Sequence, residues 1–363
     1  DDLEDDETYE ELLTLADQDA PERFPGSLRE RIQSRVGEQL GTRVEPHLLP
    51  IGRTQEEYWE MLRRLAELDI REGTVSIDVT HALRSQSVFL FIALIYLRAV
   101  HDQLSLGSVF YGANAIAQDH FDGRTPIFDL RPMAQMLDWI DAAQAFDRHG
   151  DAAPLSRLLD QEGGEAMGEV AKRARYVSQV LQLNTLSKIE ANTRKWIRQL
   201  EELSEEAPLP LRLIRPKLLE GASKIQHQPK WKAMLTVARQ HWSSYRAGLA
   251  VLAAWEAVIE RFAALYGHTG ARDMETYKAL WRVASDTDLR WYKQRGLGHL
   301  AQLVSRLQTF RNGIAHSRQS GHESFQPQDV YREFPDQLSY LEEHLGDPAL
   351  ESVPQEALLY DYN

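Results

Sequence analysis

The segment from Thr74 to Val100 constrains the fold of this 363-residue chain more than any other part of the sequence. Over residues 74–80, apolar side chains alternate with polar ones, which is the pattern of a β-strand with one covered face. A short polar turn follows, and then a helix that is apolar all round, SVFLFIALIYLRAV. A strand followed at once by such a helix is the unit from which parallel α/β sheets are built.

Similar strand and helix patterns surround this unit, so we predict a Rossmann-like α/β domain with a mostly parallel sheet and helices on both faces. The longest apolar run, Val88–Leu97, is shorter than the roughly 20 residues that a membrane span needs, and is expected to be buried. The other predicted strands are Tyr9–Ala16, Arg43–Ile51, Leu104–Tyr111 and Pro126–Leu130, and the other predicted helices are residues 24–41, which Gly41 ends, and Thr54–Leu68.

The pattern changes after Leu130, where the strand signal stops and long helical patterns begin. We therefore predict that an all-α region follows the α/β domain. Prolines between Leu203 and Gln228 argue against one continuous helix in that span. The predicted helices of this region are Pro132–Arg148, Glu165–Glu205, Lys230–His241, Ser244–Tyr266 and Leu300–His316, with more at the C-terminus.

Composition excludes several classes of protein. The chain has no cysteine, which rules out a disulfide scaffold, a thiolate nucleophile and cysteine-ligated zinc, and fits a reducing compartment. A net charge of −14 argues against nonspecific coating of nucleic acid. Neither a signal peptide nor a membrane span is visible, so we expect a cytoplasmic protein without a membrane partner.

One group of polar residues follows the strand at residues 74–80. Ligands of open α/β sheets bind beyond the carboxyl ends of the strands, and Asp78, Thr80, His81, Arg84 and Ser85 lie at such a place. Arg84 and the N–H groups at the start of the next helix favour a phosphate-bearing ligand. A purely structural interpretation stays open, in which Ser85 caps the helix, Asp78 accepts hydrogen bonds from loop amides and His81 is a polar loop residue.

A second group lies in the helix predicted at Leu300–His316. At 100° per residue, Arg311 falls in the middle of an apolar stripe, where a cation is costly unless it meets a carboxylate, a partner subunit or a phosphate. Glu256 and Glu260 are candidate partners within the chain. The apolar residues of the stripe are Leu300, Val304, Leu307 and Ile314, with Leu303 and Phe310 beside it.

His316 would point about 140° away from Arg311 on a straight helix, so the two converge only through a helix distortion or by combining two copies of the chain. Together with Asn312, these residues suffice for RNA cleavage by the 2′-hydroxyl of RNA, because a histidine moves protons and an arginine stabilises charge on phosphorus. The alternative is that Arg311 is paired internally and His316 is a cation at the helix end.

In combination, the two groups resemble a family of CRISPR-associated proteins that join a CARF sensor domain to a HEPN ribonuclease domain. The family's D-x-T-H-G motif reads D-V-T-H-A at residues 78–82, with Ala82 in the place of glycine, and R-N-G-I-A-H at residues 311–316 matches the HEPN motif. The resemblance runs from about Leu12 to Leu159 and resumes around Glu256. Similar segments are PHLLPIGRTQEEYWEML, VFYGANA, PIFDL and MLDWIDAAQAFDRHGDAAPL.

The resemblance implies a CARF-like domain over residues 1–131 that lacks its first strand, a helical connector over residues 132–243, and a HEPN-like nuclease domain over residues 244–363. It implies binding of a cyclic oligoadenylate made by a type III CRISPR complex, with cyclic tetra-adenylate as the expected activator. It also implies a homodimer or higher homo-oligomer that cleaves single-stranded RNA without a metal or other cofactor.

Carried over by residue, the resemblance assigns ligand binding to the first group and catalysis to the second. His316 would act as general acid or base, Arg311 as the cation that stabilises the transition state, and Asn312 as a positioning residue. The assigned ligand-binding residues are Asp78, Thr80, His81, Arg84 and Ser85. Two other hypotheses stay open: a noncatalytic sensor or adaptor that signals through its helical domain, and an α/β domain that degrades its own ligand.

Overall fold

A computed structural model of the chain is mostly helical with one small sheet, and its residues fall into two compact units, Asp1–Gln135 and Met136–Asn363. None of the described helices is both long and apolar enough to cross a membrane. The structure describes residues 6–16, 25–68, 70–117, 121–205, 207–268, 274–285, 294, 296–316 and 326–352.

The first unit contains helices and the sheet, and α5 begins at its end. Thr54 begins α3 as an N-cap, since its hydroxyl accepts a hydrogen bond from the Glu57 N–H, and Gly41 ends α2 in the left-handed conformation, with φ of 62°. The elements are α1 Asp6–Ala16, α2 Gly26–Leu40, α3 Gln55–Ala66, β1 Glu72–Asp78, α4 Arg84–Val100, β2 Gln103–Gly112, β3 Ile127–Asp129 and α5 Arg131–His149.

The sheet is small and mixed, with strand order β1-β2-β3. β1 and β2 are parallel because α4 returns the chain to the starting end of the sheet, and β3 is antiparallel to β2. The predicted mostly parallel sheet is therefore confirmed only for its first pair. Val79 is buried whereas Thr74, Ser76 and Asp78 are exposed, so the described helices cover one face of β1, not the two that were predicted.

Two of the predicted strands are wrong. Tyr9–Ala16 belongs to α1, in which Leu12 and Leu15 recur at a helical spacing and Leu15 is buried. Arg43–Ile51 forms no strand, and two prolines in it, Pro46 and Pro50, lack the N–H that a sheet ladder requires. The strands at Leu104–Tyr111 and Pro126–Leu130 and the helices at residues 24–41 and 54–68 are confirmed to within a few residues.

The predicted burial of the apolar run Val88–Leu97 is correct for only part of α4. Ala93, Leu94 and Leu97 are buried, but a stripe of apolar side chains on the same helix is exposed. We call it the α4 stripe; it comprises Val88, Ile92, Tyr96 and Val100, each 54–60% exposed. A helix that is apolar all round is normally covered on all sides, so this stripe is a candidate contact surface.

The second unit is helical throughout its described residues. The single helix predicted over Glu165–Glu205 is broken, because Asn184 adopts a left-handed conformation with φ of 53° and ends the first part. The other helices predicted here are confirmed. The elements after α5 are α6 Ala153–Glu162, α7 Glu165–Gln182, α8 Ile189–Glu201, α9 Leu209–Ser223, α10 Lys230–Ser243, α11 Ala247–Leu265, α12 Met274–Ser285, α13 Gly298–His316 and α14 Pro327–His344.

One continuous hydrophobic core extends through this unit from Trp139 to Leu350. Helix α11 has 11 buried residues, five of them alanines that let neighbouring helices approach closely. Phe262 and Trp255 are fully buried. The sequence predicts a boundary at residue 243 between a helical connector and a nuclease domain. This boundary stays a prediction, since the core includes residues from both sides of residue 243.

A buried histidine makes this core sensitive to acid. Burial, aided by the Arg246 guanidinium and opposed by the backbone carbonyl of Leu181, lowers the pKa of His241 to about 4, from 6.5. The folded state therefore holds His241 neutral while the unfolded chain takes up a proton. The stabilisation is fully present above pH 6.5 and is lost as the pH falls towards 4.

We expect the free energy of unfolding to fall by about 3 kcal/mol between pH 6.5 and pH 4 through this one residue. Urea unfolding at several pH values measures it. The variant His241→Leu should lose that part of the pH dependence, whereas His344→Gln, at the partly exposed end of α14, should keep it. An equal acid loss in all three proteins would contradict the assignment.

Candidate functional site

Hydrogen bonds lock the turn after β1 to the end of β2. The Thr80 N–H donates to Asp78 Oδ1 at 2.8 Å, and the Gly112 N–H donates to Thr80 Oγ1 at 2.7 Å. Hydrogen bonds from the hydroxyl and the backbone N–H of Thr80 hold the pKa of Asp78 below its usual range, with a smaller contribution from His81. The carboxylate is thus ionised and engaged in shaping the turn.

Gly112 belongs to this turn and was missed by the sequence reasoning, although it lies in the segment VFYGANA. A Cβ at residue 112 would lie 2.9 Å from Thr80 Cγ2 and 3.1 Å from Thr80 Oγ1. A side chain there would push the Thr80 hydroxyl off the Gly112 N–H. The signal available in the sequence was a glycine at the end of a predicted strand.

The remaining predicted ligand residues lie at the start of α4. His81, Arg84 and Ser85 are exposed, and Arg84 makes no ion pair within the described part of the chain. The helix is capped by Gln86, whose Oε1 accepts a hydrogen bond from the Leu83 N–H at 3.2 Å. Ser85 makes no such cap, so an exposed cation and hydroxyl stand beside N–H groups that have no acceptor within the helix.

Ala82 keeps an ordinary backbone conformation. It is not among the residues with positive φ, so the position does not require the conformational freedom of the glycine found in the family motif. The Ala82 methyl group therefore affects only the space in front of the turn after β1, not the conformation of the backbone.

In the second unit, α13 carries the predicted catalytic residues. Leu300, Val304 and Leu307 of its apolar stripe are buried, and Arg311 and Ile314 are half-buried near the end of that stripe. Arg311 Nη1 donates to Asn312 Oδ1 at 3.0 Å, which brings two of the three predicted catalytic residues together. The backbone is helical up to His316, whose side chain lies outside the described residues.

Two residues from neighbouring helices pair with each other near Arg311. The Tyr277 hydroxyl of α12 donates to Glu256 Oε1 of α11 at 2.8 Å. Burial, with the Glu256 carboxylate adding and the Arg311 guanidinium opposing, raises the pKa of Tyr277 to about 12. We call these four residues, Glu256, Tyr277, Arg311 and Asn312, the α13 polar cluster.

Of the two carboxylates suggested as partners for Arg311, only Glu256 belongs to this cluster. Glu260 lies one turn further along α11 and pairs with Lys230, with Nζ and Oε2 3.0 Å apart. Tyr277 was missed by the sequence reasoning. Its signal was weak, because a tyrosine three and four residues before Leu280 and Trp281 reads as part of an apolar helix face.

Within the described ranges, no group of three His, Asp or Glu side chains is arranged to hold a metal ion.

Residues 135–228 match the family model for the second domain of CRISPR-associated protein MJ1674. Over 276 residues the chain is also 21% identical to CRISPR-associated protein MJ1674 of Methanocaldococcus jannaschii, an alignment that covers 74% of this chain and 42% of that protein. The chain thus spans less than half the length of the curated relative that it matches.

These similarities confirm the predicted relation to CRISPR-associated proteins. The matched family domain coincides with α5–α9, which the sequence reasoning described only as a helical connector. Neither comparison bears on the ligand turn or on the α13 polar cluster, so the CARF and HEPN assignments and the roles of their residues stay predictions.

Proposed function

We infer that this protein is an endoribonuclease of type III CRISPR antiviral defence that a cyclic oligoadenylate activates. The observation that carries the proposal is the α13 polar cluster, in which Arg311 is half-buried at the end of an apolar stripe and bonded to Asn312. The planar N–H groups of a guanidinium are well suited to meet a phosphate. The similarity to a CRISPR-associated protein supports the biological setting.

The chemistry requires two proton transfers and one cation. The 2′-hydroxyl of the RNA gives up its proton and attacks the adjacent phosphorus, the P–O5′ bond breaks, and the departing 5′-oxygen takes up a proton. His316 moves the protons, Arg311 stabilises the charge on the phosphoryl oxygens, and Asn312 orients the guanidinium. Glu256 accepts from Tyr277 beside Arg311, which limits the orientations that the guanidinium can take.

Two copies of the chain supply the complete site. The backbone is helical up to His316, so residues 311 and 316 fall on different faces of α13, and pairing two α13 ends brings an arginine of one copy towards a histidine of the other. The resulting site forms only in the correct dimer, which gives a ligand the means to control it by shifting the population of dimer arrangements.

The first unit holds the activator at the turn after β1. Asp78 and Thr80 shape the turn, and Arg84, Ser85 and the N–H groups of the first turn of α4 meet a phosphate. A cyclic oligoadenylate presents several phosphates around a ring, so a dimer could contact it with two copies of this turn. Cyclic tetra-adenylate, with an even number of phosphates, matches that symmetry.

The α4 stripe is the proposed contact between the first units of two copies. Its side chains recur every four residues and form a ridge, and such ridges interdigitate when two helices pack together. Arg84 lies one turn before the first residue of the stripe. Ile92→Glu should place two like charges across the two-fold axis and convert the dimer to monomer in sedimentation velocity at micromolar concentration. Trp59→Glu, which changes an equally exposed apolar residue on α3, should leave the dimer intact. A dimer that survives Ile92→Glu would contradict this interface.

Cleavage of a fluorescent single-stranded RNA in EDTA tests the function. The wild-type protein is compared with His316→Ala, and with His344→Ala as a matched control on α14, in the presence of cyclic tri-, tetra- or hexa-adenylate. We expect cleavage with one ring size, ends that carry a 2′,3′-cyclic phosphate, and loss of activity only in His316→Ala. Cleavage that requires a divalent ion would overturn the proposed chemistry.

A different result would favour the noncatalytic hypothesis. If a ring binds measurably but no RNA is cut under any condition, the protein is a sensor that passes its signal through the helical unit. If no ring binds, both the sensor role and the nuclease gating fail.

A further inference from the structure

Four helix ends meet beside the candidate catalytic residues. A Cβ built on Gly248, at the start of α11, would lie 3.5 Å from Ile314 Cγ2 near the end of α13. Arg306 of α13 pairs with Glu333 near the start of α14 at 2.8 Å, and the Trp242 ring in the last turn of α10 lies 5.5 Å from the ring of Tyr331 in α14. The end of α10, the start of α11, the end of α13 and the start of α14 therefore share one end of the second unit.

The turn between α10 and α11 presents an unusual tyrosine at this end. Tyr245 is 88% exposed, the largest exposed fraction among the large apolar side chains of the described residues. Its φ is 58°, in the left-handed region that favours glycine or asparagine after a helix, and its N–H donates to the Trp242 carbonyl at 3.0 Å. A bulky residue is thus kept where neither burial nor backbone conformation favours it, which points to a role in binding.

The same end of the second unit carries two further aromatic residues. Tyr331 is 55% exposed and contacts the half-buried Trp242, which in turn packs on the buried Phe334. We call Trp242, Tyr245 and Tyr331 the aromatic ledge. Trp242, the inner member, is held by the core. Tyr245 and Tyr331, the outer members, present ring faces and hydroxyls to solvent. Such a combination of rigid support and exposed rings suits the stacking of unpaired bases.

We propose that the aromatic ledge binds single-stranded RNA by stacking its bases, with Tyr245 as the main contact, and so positions the phosphate that Arg311 meets. The proposal rests on the proposed nuclease function and adds a substrate-binding surface to it. Because the chain carries a net charge of −14, stacking rather than charge supplies most of the RNA affinity. Binding by the aromatic ledge is independent of RNA sequence, because every base has a ring face that can stack.

Binding is measured by fluorescence anisotropy of the full chain with a labelled single-stranded RNA that carries 2′-O-methyl groups and so cannot be cut. Tyr245→Ala should weaken binding about 10-fold, and Tyr245→Phe should bind like the wild type. Tyr245→Gly relieves the left-handed backbone, so it should raise the thermal midpoint and still weaken binding. Tyr176→Ala, at a partly exposed tyrosine on α7, is the matched control and should bind normally.

Three outcomes would overturn the proposal, and only the third is a failure of the nuclease function. If Tyr245→Ala binds and cleaves RNA as the wild type does, the ledge is no RNA surface, while the nuclease function stands. If Tyr245→Ala changes the oligomeric state in sedimentation velocity, the ledge is a contact between copies. If the wild type neither binds nor cleaves RNA with any ring, the nuclease function fails and the ledge proposal fails with it.

Discussion

Arg311→Ala is expected to lower the rate of ring-activated RNA cleavage about 100- to 1000-fold while the protein stays folded. The guanidinium is half-buried in the α13 polar cluster, bonded to Asn312 and close enough to Tyr277 to oppose the rise in the pKa of that tyrosine. Its loss removes the cation that would stabilise charge on phosphorus, and it leaves the buried stripe of α13 in place. Initial rates with saturating activator and single-stranded RNA measure the effect.

Two further variants make this result specific. Arg311→Lys keeps one charge but loses the planar fork, so it should restore only a small part of the rate. Arg332→Ala, on α14, removes an exposed arginine that pairs with Asp329 and Glu333, and it should leave the rate within about 2-fold. Full activity in Arg311→Ala would remove the second unit from the catalytic mechanism and favour the sensor hypothesis.

Lys230→Met is expected to destabilise the second unit by about 3 kcal/mol. Lys230 Nζ lies 3.0 Å from Glu260 Oε2, and the Glu260 side chain is only 6% exposed in the middle of α11. Removing the lysine takes one countercharge away from a buried carboxylate, which costs more than the pair itself contributes. Urea unfolding at pH 7 measures the loss, and residues 230 and 260 lie outside the α13 polar cluster.

The double variant Lys230→Met/Glu260→Gln tests the cause. If the unpaired charge is responsible, the second substitution should recover at least half of the lost stability, because it removes the charge. Lys172→Met, which breaks an exposed pair with Glu169, should change the free energy of unfolding by less than about 0.5 kcal/mol. Equal effects of Lys230→Met and Lys172→Met would show that the Glu260 charge is already compensated by its other contacts.

Local patterns predicted most of the secondary structure correctly, and the errors have physical causes. The alternation at residues 74–80 and the spacing of apolar residues in α13 reflect the periods of strand and helix, which any single sequence displays. Tyr9–Ala16 was misread because a short apolar run fits either period. The break at Asn184 was missed because a left-handed residue other than glycine has little signal in the sequence.

By itself, the sequence identified the two chemical groups. The motif residues Asp78, Thr80 and Arg84 were placed at a strand end, and Arg311 was placed on an apolar stripe with Asn312 beside it. These inferences need only the repeat of a helix or strand and the cost of an unpaired charge, both of which are local properties. The relation to CRISPR-associated proteins likewise rests on residue patterns along the chain.

Only the tertiary structure decided which partners meet. That Tyr277 rather than Glu260 stands beside Arg311, that Gly112 holds the Thr80 hydroxyl, and that an all-apolar helix leaves one stripe uncovered follow from how separate elements pack. So does the approach of Gly248, at the start of α11, to Ile314 near the end of α13. Such contacts join residues far apart in sequence, and they depend on helix directions and loop conformations that no local period encodes.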